Sequence, residues 1–150
     1  MKKISAFLFI LFFASCGYQP IFLNNNPKNF EFQKINFAGD NDINKKIINK
    51  IKINENNLSQ NKNKLFLSNN YSLKETSKNS KGVIQTYKST LLVNIKITND
   101  GKIIKEKNIS KNFNYNKKDN KSELIRYQNQ IKNILIDQII NDVILFLNSQ

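Results

Sequence analysis

The residue with the most distinctive chemistry is Cys16, the single cysteine among 150 residues. It follows Phe13, Ala14 and Ser15, a bulky apolar residue and then two small ones. A small pair lets an extended backbone enter a lipoprotein signal peptidase, and the thiol that follows takes a diacylglyceryl group as a thioether. Cys16 is therefore read as the lipidated first residue of the mature protein. The alternatives are a leader cut elsewhere, which leaves an ordinary thiol, and an uncleaved anchor. Lys2 and Lys3 supply a positive start, Ile4 to Phe13 an apolar run, and Ala14 with Ser15 the small-residue site. As a helix the run is roughly 15 Å long, half of what a bilayer core demands. Several acyl chains at about 0.8 kcal/mol per buried CH₂ hold a protein where one does not. Gly17 after the cysteine, rather than Asp, favours export to the outer membrane.

The second chemistry is cationic. Lys and Arg number 24 against 11 Asp and Glu, a formal charge of +13. Such a charge repels itself and attracts anions. Anionic lipid, lipopolysaccharide and acidic polymers are candidate partners; nucleic acid is excluded if the chain leaves the cytoplasm. The dominance of Asn, Ile and Lys suggests an A·T-rich genome, which accounts for part of the charge.

Catalytic chemistry has little to draw on. The chain has no His and only four glycines, which are scattered. No pair of His, Cys or carboxylate residues has metal-ligand spacing, so no metal or cofactor is expected. Asp137 and Asp142, on the last predicted helix, are expected to face solvent or cap a polar contact. The expected class is a non-enzymatic protein, and with one cysteine it must hold by packing without an internal disulfide.

The elements that position these groups follow from periodicity. Residues 1–15 form the leader, 16–29 the lipidated N-terminus and a linker with a proline, and 30–150 one domain. Phe30 to Phe37 alternate as a first strand, with a break in period near Lys34 that predicts a bulge or bend. Asp40 or Asn41 caps a helix over about 41–53, carried by Ile43, Ile47, Ile48 and Ile51. Strands are predicted over 64–75, 87–97 and 102–115. Asp100 and Gly101 make a hairpin turn, because both tolerate positive φ. Ser122 is expected to cap a last helix running to about residue 148. On the fourth strand Ile103, Ile109, Phe113 and Tyr115 share a face with Lys105, Lys107 and Lys111. The order is βαβββα. It predicts an α+β two-layer sandwich, a four-stranded, mostly antiparallel sheet with both helices on one face. The other face and at least one edge stay bare, and a bare edge invites another chain.

The stretch Cys16 to Phe22 (Cys-Gly-Tyr-Gln-Pro-Ile-Phe) is similar to the opening of the LPS-assembly lipoprotein family LptE, in its alphaproteobacterial form. The 71–73 and 87–97 strands, the 100–104 turn with Tyr115 after it, and the helix ending in Ile144 to Leu147 follow the same pattern. The last helix departs from that family in being rich in Ile, Asn and Lys where Ala and Arg are usual. The resemblance implies an outer-membrane lipoprotein on the periplasmic side. It also implies a plug inside the barrel protein LptD that helps the barrel assemble and binds lipopolysaccharide. Lipid A carries phosphates, and an ammonium beside a phosphate makes a charge-assisted hydrogen bond. Lys88, Lys96, Lys102, Lys105, Lys107 and Lys111 are the candidates for that contact, with solvated strand faces as the plainer reading. Tyr115, at a strand end, is expected to be more open and a partner contact, whereas Phe113 and Tyr127 are expected in the core. Two rival readings are a structural envelope lipoprotein that binds an anionic polymer such as peptidoglycan, and a tethered enzyme accessory.

Overall fold

The computed structural model describes residues 29–58 and 62–149. The leader, Cys16 and the linker up to residue 28 lie outside the described residues. Strands β1 (Phe30–Phe32) and β2 (Lys34–Ala38) precede helix α1 (Asn41–Ile51) and strand β3 (Ile53–Glu55). Three long strands follow, β4 (Asn63–Lys78), β5 (Ile84–Asn99) and β6 (Lys102–Asn116), then helix α2 (Lys121–Asn148). The main sheet has the order β2-β4-β5-β6. The long strands form an antiparallel meander, and β2 joins it parallel to β4. Both helices pack on one face, as the α+β sandwich requires.

The apolar periodicity sets this layering. On one face of the sheet Leu65, Leu67, Leu91, Val93, Ile95 and Ile109 are buried. Ile43, Ile47 and Ile51 of α1, and Ile131, Leu135, Ile139, Val143 and Phe146 of α2, close over them. Each such side chain contributes about 1.5–3 kcal/mol when removed from water.

Strands β4 and β5 reach Lys78 and Ile84, three residues past their predicted limits, and three further features differ from the sequence expectation. The first predicted strand is two strands, broken by a bend at Gln33, whose N–H donates to Asn63 O at 2.8 Å. Its halves serve different sheets: β2 extends the main sheet, while β1 pairs in parallel with β3. Helix α1 stops at Ile51 rather than 53. Lys52 takes the left-handed conformation (φ 60°), which turns the chain so that buried Ile53 pairs opposite Phe30. The cap of α2 is Asn120 rather than Ser122; its side chain accepts from the N–H groups of Ser122 and Glu123 at 2.8 and 3.1 Å. Asp40 caps α1 in the same way. At the β5–β6 turn Asp100 (φ 47°) and Gly101 (φ 81°) both adopt the positive φ expected of them.

A polar knot ties β2, α1, β4 and α2 together. Asn69 donates from its amide to Asp40 O (2.8 Å) and Asn44 Oδ1 (2.9 Å), and accepts from Asp40 N–H. Asn44, fully buried, donates to Ala38 O at 3.0 Å. Lys132 of α2 reaches Asp40 Oδ2 at 2.9 Å. That hydrogen bond, helped by the cap N–H groups against partial desolvation, holds the Asp40 carboxyl below its usual value. A lowered folded value means that the carboxylate's stabilisation is complete above the unfolded value of about 3.9 and fades as pH falls through the folded one. Lys132→Met is expected to flatten this acid limb, read as the pH dependence of the urea midpoint below about pH 4.

Candidate functional site

The long strands place the six candidate lysines on two different faces. Cross-strand pairing puts Lys88 and Lys96 of β5 on the bare face of the sheet. Lys105, Lys107 and Lys111 of β6 lie on the helix side, opposite Ile97, Ile95 and Leu91. Lys102 stands at the β5–β6 turn, exposed. The six therefore do not form one cluster.

Two of the helix-side lysines are engaged with α2. Lys111 Nζ is 2.8 Å from Asp142, a half-buried ion pair. Lys105 lies over the Phe146 ring at 5.8 Å and donates to the Ser149 carbonyl at the end of α2. Their stems run along the apolar flank of the helix while their charges reach its rim. This answers how three lysines can share a strand face with core residues: β6 is the edge strand, and its lysines lean past the helix. Asp137 pairs with Lys50 of α1 at 2.5 Å, so Asp137 and Asp142 each make an ion pair with another element. Ile103 does not share that face. A register shift leaves residue 104 unmatched between the Ile97–Lys105 and Thr98–Ile103 pairs, and Ile103 is exposed.

Tyr115 is a correction. Expected to be open, it is only 5% exposed. It stacks on Tyr87 with centroids 5.6 Å apart and meets Tyr127 edge-on at 5.6 Å. Its hydroxyl lies near Ser89 and Gln128 without a well-formed hydrogen bond, and burial pushes its pKa up. The strand end is not free because the first turns of α2 fold over it. Tyr115 is thus part of the packed interior, with Phe113 and Tyr127 packed against the same core.

The bare face has its own pattern. Lys96 lies over the Phe66 ring at 5.2 Å, with Glu106 across from it on β6. Glu106 and Asn108 both accept from the Asn94 amide, at 2.8 and 2.9 Å. Ser68, Asn70, Ser72, Thr90, Ser110 and Asn112 then continue toward the far end as uncharged rows around Leu92. At that end Lys74 of β4 stands directly opposite Lys88, with Asn114 on the other side of Lys88. Directly opposed like charges on a sheet are destabilising unless an anion lies between them. Beside them a cavity of about 460 Å³ is lined by Thr76, Thr86, Lys88, Asn114, Tyr115 and Asn116. Thr86 shares hydrogen bonds with Thr76 and Ser77 at 2.7 and 2.6 Å. The sequence reading missed Lys74; the signal was available only as strand register.

Among the described residues no group of three His, Cys, Asp or Glu side chains is placed to hold a metal. No described helix is long and apolar enough to cross a membrane.

The folded body can be compared with known proteins on this geometry. A crystal structure of rare lipoprotein B from Shewanella oneidensis superposes with a TM-score of 0.57 at 11% identity, over 75% of this chain and 91% of that one. The chain has the fold of that lipoprotein. A minor lipoprotein from Acinetobacter baumannii superposes with a TM-score of 0.54 at 12% identity, over 77% of this chain and 87% of its own. At these identities the likeness is one of fold. No protein-family model and no curated protein matches the sequence.

Proposed function

We propose that this chain is a non-enzymatic lipoprotein of the bacterial envelope, anchored through Cys16 on the periplasmic side of the outer membrane, where it serves lipopolysaccharide transport and assembly. Its partner in this reading is an LptD-type β-barrel, inside which it sits as a plug. The observation that carries the reading is a conjunction. A lipid-attachment motif opens a segment similar to the LptE family, and the body behind it has the fold of two solved lipoproteins. Affinity purification of the tagged protein from solubilised membranes is expected to recover a large barrel protein. Recovery of the tagged protein without one would overturn the barrel assignment.

The Lys74–Lys88 pair, opposed across β4 and β5 on the bare face beside the cavity, is a candidate for the phosphates of lipid A. The double variant Lys74→Ser, Lys88→Ser is expected to bind lipopolysaccharide about tenfold more weakly, the size of effect that losing charge-assisted hydrogen bonds produces. It is also expected to raise the urea midpoint slightly, because a like-charge pair is removed. Equal binding by wild type and variant would remove this pair from the ligand site. Sedimentation with purified sacculi separates the rival polymer-binding reading, which alone predicts that the protein pellets with them.

A further inference from the structure

The two edges of the main sheet are unlike. Strand β2 is five residues long and ends in the turn to α1, whereas β6 offers fifteen residues. From Lys105 to Asn116 its pairing with β5 runs without a bulge. The phase of the ladder is given by Lys117, whose N–H donates to Gln85 O at 2.8 Å just beyond the Thr86–Asn116 pair. Odd-numbered residues of β6 therefore bond to β5. The N–H and C=O groups of Glu106, Asn108, Ser110, Asn112 and Asn114 point away from the sheet. None of the five is a proline, so every outward donor is present.

We infer that this edge takes an extended strand of another polypeptide, one that carries carboxylates opposite Lys105 and Lys107. Charge selects that occupant. Lys107 is exposed with no partner among the described residues, and Lys105 meets only a carbonyl and a ring. Lys111 already has Asp142, so a neutral residue suffices opposite it. Apolar residues opposite Ile109 and Phe113 would extend the core, because Ile109 is buried and Phe113 half-buried beneath α2. A second copy of this chain offers these lysines no carboxylate: pairing of two β6 strands about Ser110 sets Lys107 against Phe113 and Lys111 against Ile109, and two other registers are worse. Antiparallel pairing of two β6 strands about Asn108 sets Lys105 against Lys111, and pairing about Glu106 sets Lys105 against Lys107. Both arrangements place like charges opposite each other. The inference concerns the backbone edge and does not depend on the envelope role proposed above.

The probe is a blocked peptide alternating threonine with, in order, valine, threonine, valine, glutamate and glutamate, which reads antiparallel along Phe113 to Lys105. Its binding to the full chain is measured by fluorescence anisotropy at low salt. Saturable binding is expected, weakened about tenfold by Lys107→Glu and weakened further as salt screens the charges. Backbone N-methylation separates strand pairing from mere charge attraction. Methyl groups on the threonine amides opposite Asn108, Ser110 and Asn112 are expected to abolish binding. The same groups one residue along are expected to be tolerated. Equal binding by both methylated peptides would overturn the inference, as would no binding at all. Finding that the wild-type chain self-associates through β6, by loss of its dimer in Lys107→Glu, would overturn it too.

Discussion

Replacing Gly39 with Ala is expected to cost upwards of about 3 kcal/mol and to leave a small folded fraction at ordinary temperature. Two independent penalties meet there. Gly39 has φ +84°, where a Cβ atom costs roughly 1–2 kcal/mol. The added Cβ would also lie 2.1 Å from the backbone oxygen of Asn69, which cannot swing aside because it belongs to β4. Forcing an atom into packed structure costs about 1–3 kcal/mol more. Gly82 and Gly101 have φ of +77° and +81° but open space around the added atom. Gly82→Ala and Gly101→Ala thus measure the conformational penalty alone. Urea denaturation of the three variants gives the comparison; a Gly39→Ala midpoint no lower than that of Gly82→Ala would show that the crowding at β4 is relieved by movement.

The second large effect is expected at Asn69. Its side chain sits mid-strand on the buried face, where Leu65 and Leu67 would suggest another apolar residue. It holds both the N–H and the C=O of Asp40 and the side-chain oxygen of Asn44. Asn69→Ala strips these partners and leaves the fully buried Asn44 oxygen unsatisfied. A buried polar group without a partner costs about 1–3 kcal/mol, and the lost bonds add to that. A loss of about 3 kcal/mol in unfolding free energy is expected. Asn69→Leu does no better, since the polar atoms it faces remain. In the double variant Asn69→Leu, Asn44→Leu part of the loss should be recovered, because the Asn44 oxygen leaves with its donor, while the Asp40 N–H and the Ala38 C=O still lack these side-chain partners. Additive losses in the double variant would show that the two amides act separately.

The lysines show how little periodicity says about edge strands. A run in which Lys105, Lys107 and Lys111 alternate into the same face as Ile109 and Phe113 reads as a faulty strand. It becomes a sound one once α2 is seen to supply Asp142, the Phe146 ring and its terminal carbonyl. Tyr115 reads as exposed because it ends a strand, and it is buried because Tyr87 and Tyr127 close on it from elements twelve or more residues away in sequence. Lys74 attracts no notice in sequence and comes to stand opposite Lys88 only through strand register.

The chain's local patterns were sufficient for the two helices, the three long strands and their order, the meander, the Asp100–Gly101 turn and the side of the sheet that faces the core. Each depends on a period of two or of about four, or on a residue's own φ preference, and these act between near neighbours. Tertiary structure alone decided the split of β1 from β2, the short parallel pair with β3, the burial of Tyr115, and the division of the lysines between faces. Those outcomes depend on which distant segment supplies a hydrogen-bond partner, a counter-charge or a covering ring. That information resides in strand register and helix placement, where a shift of one residue moves every side chain to the opposite face.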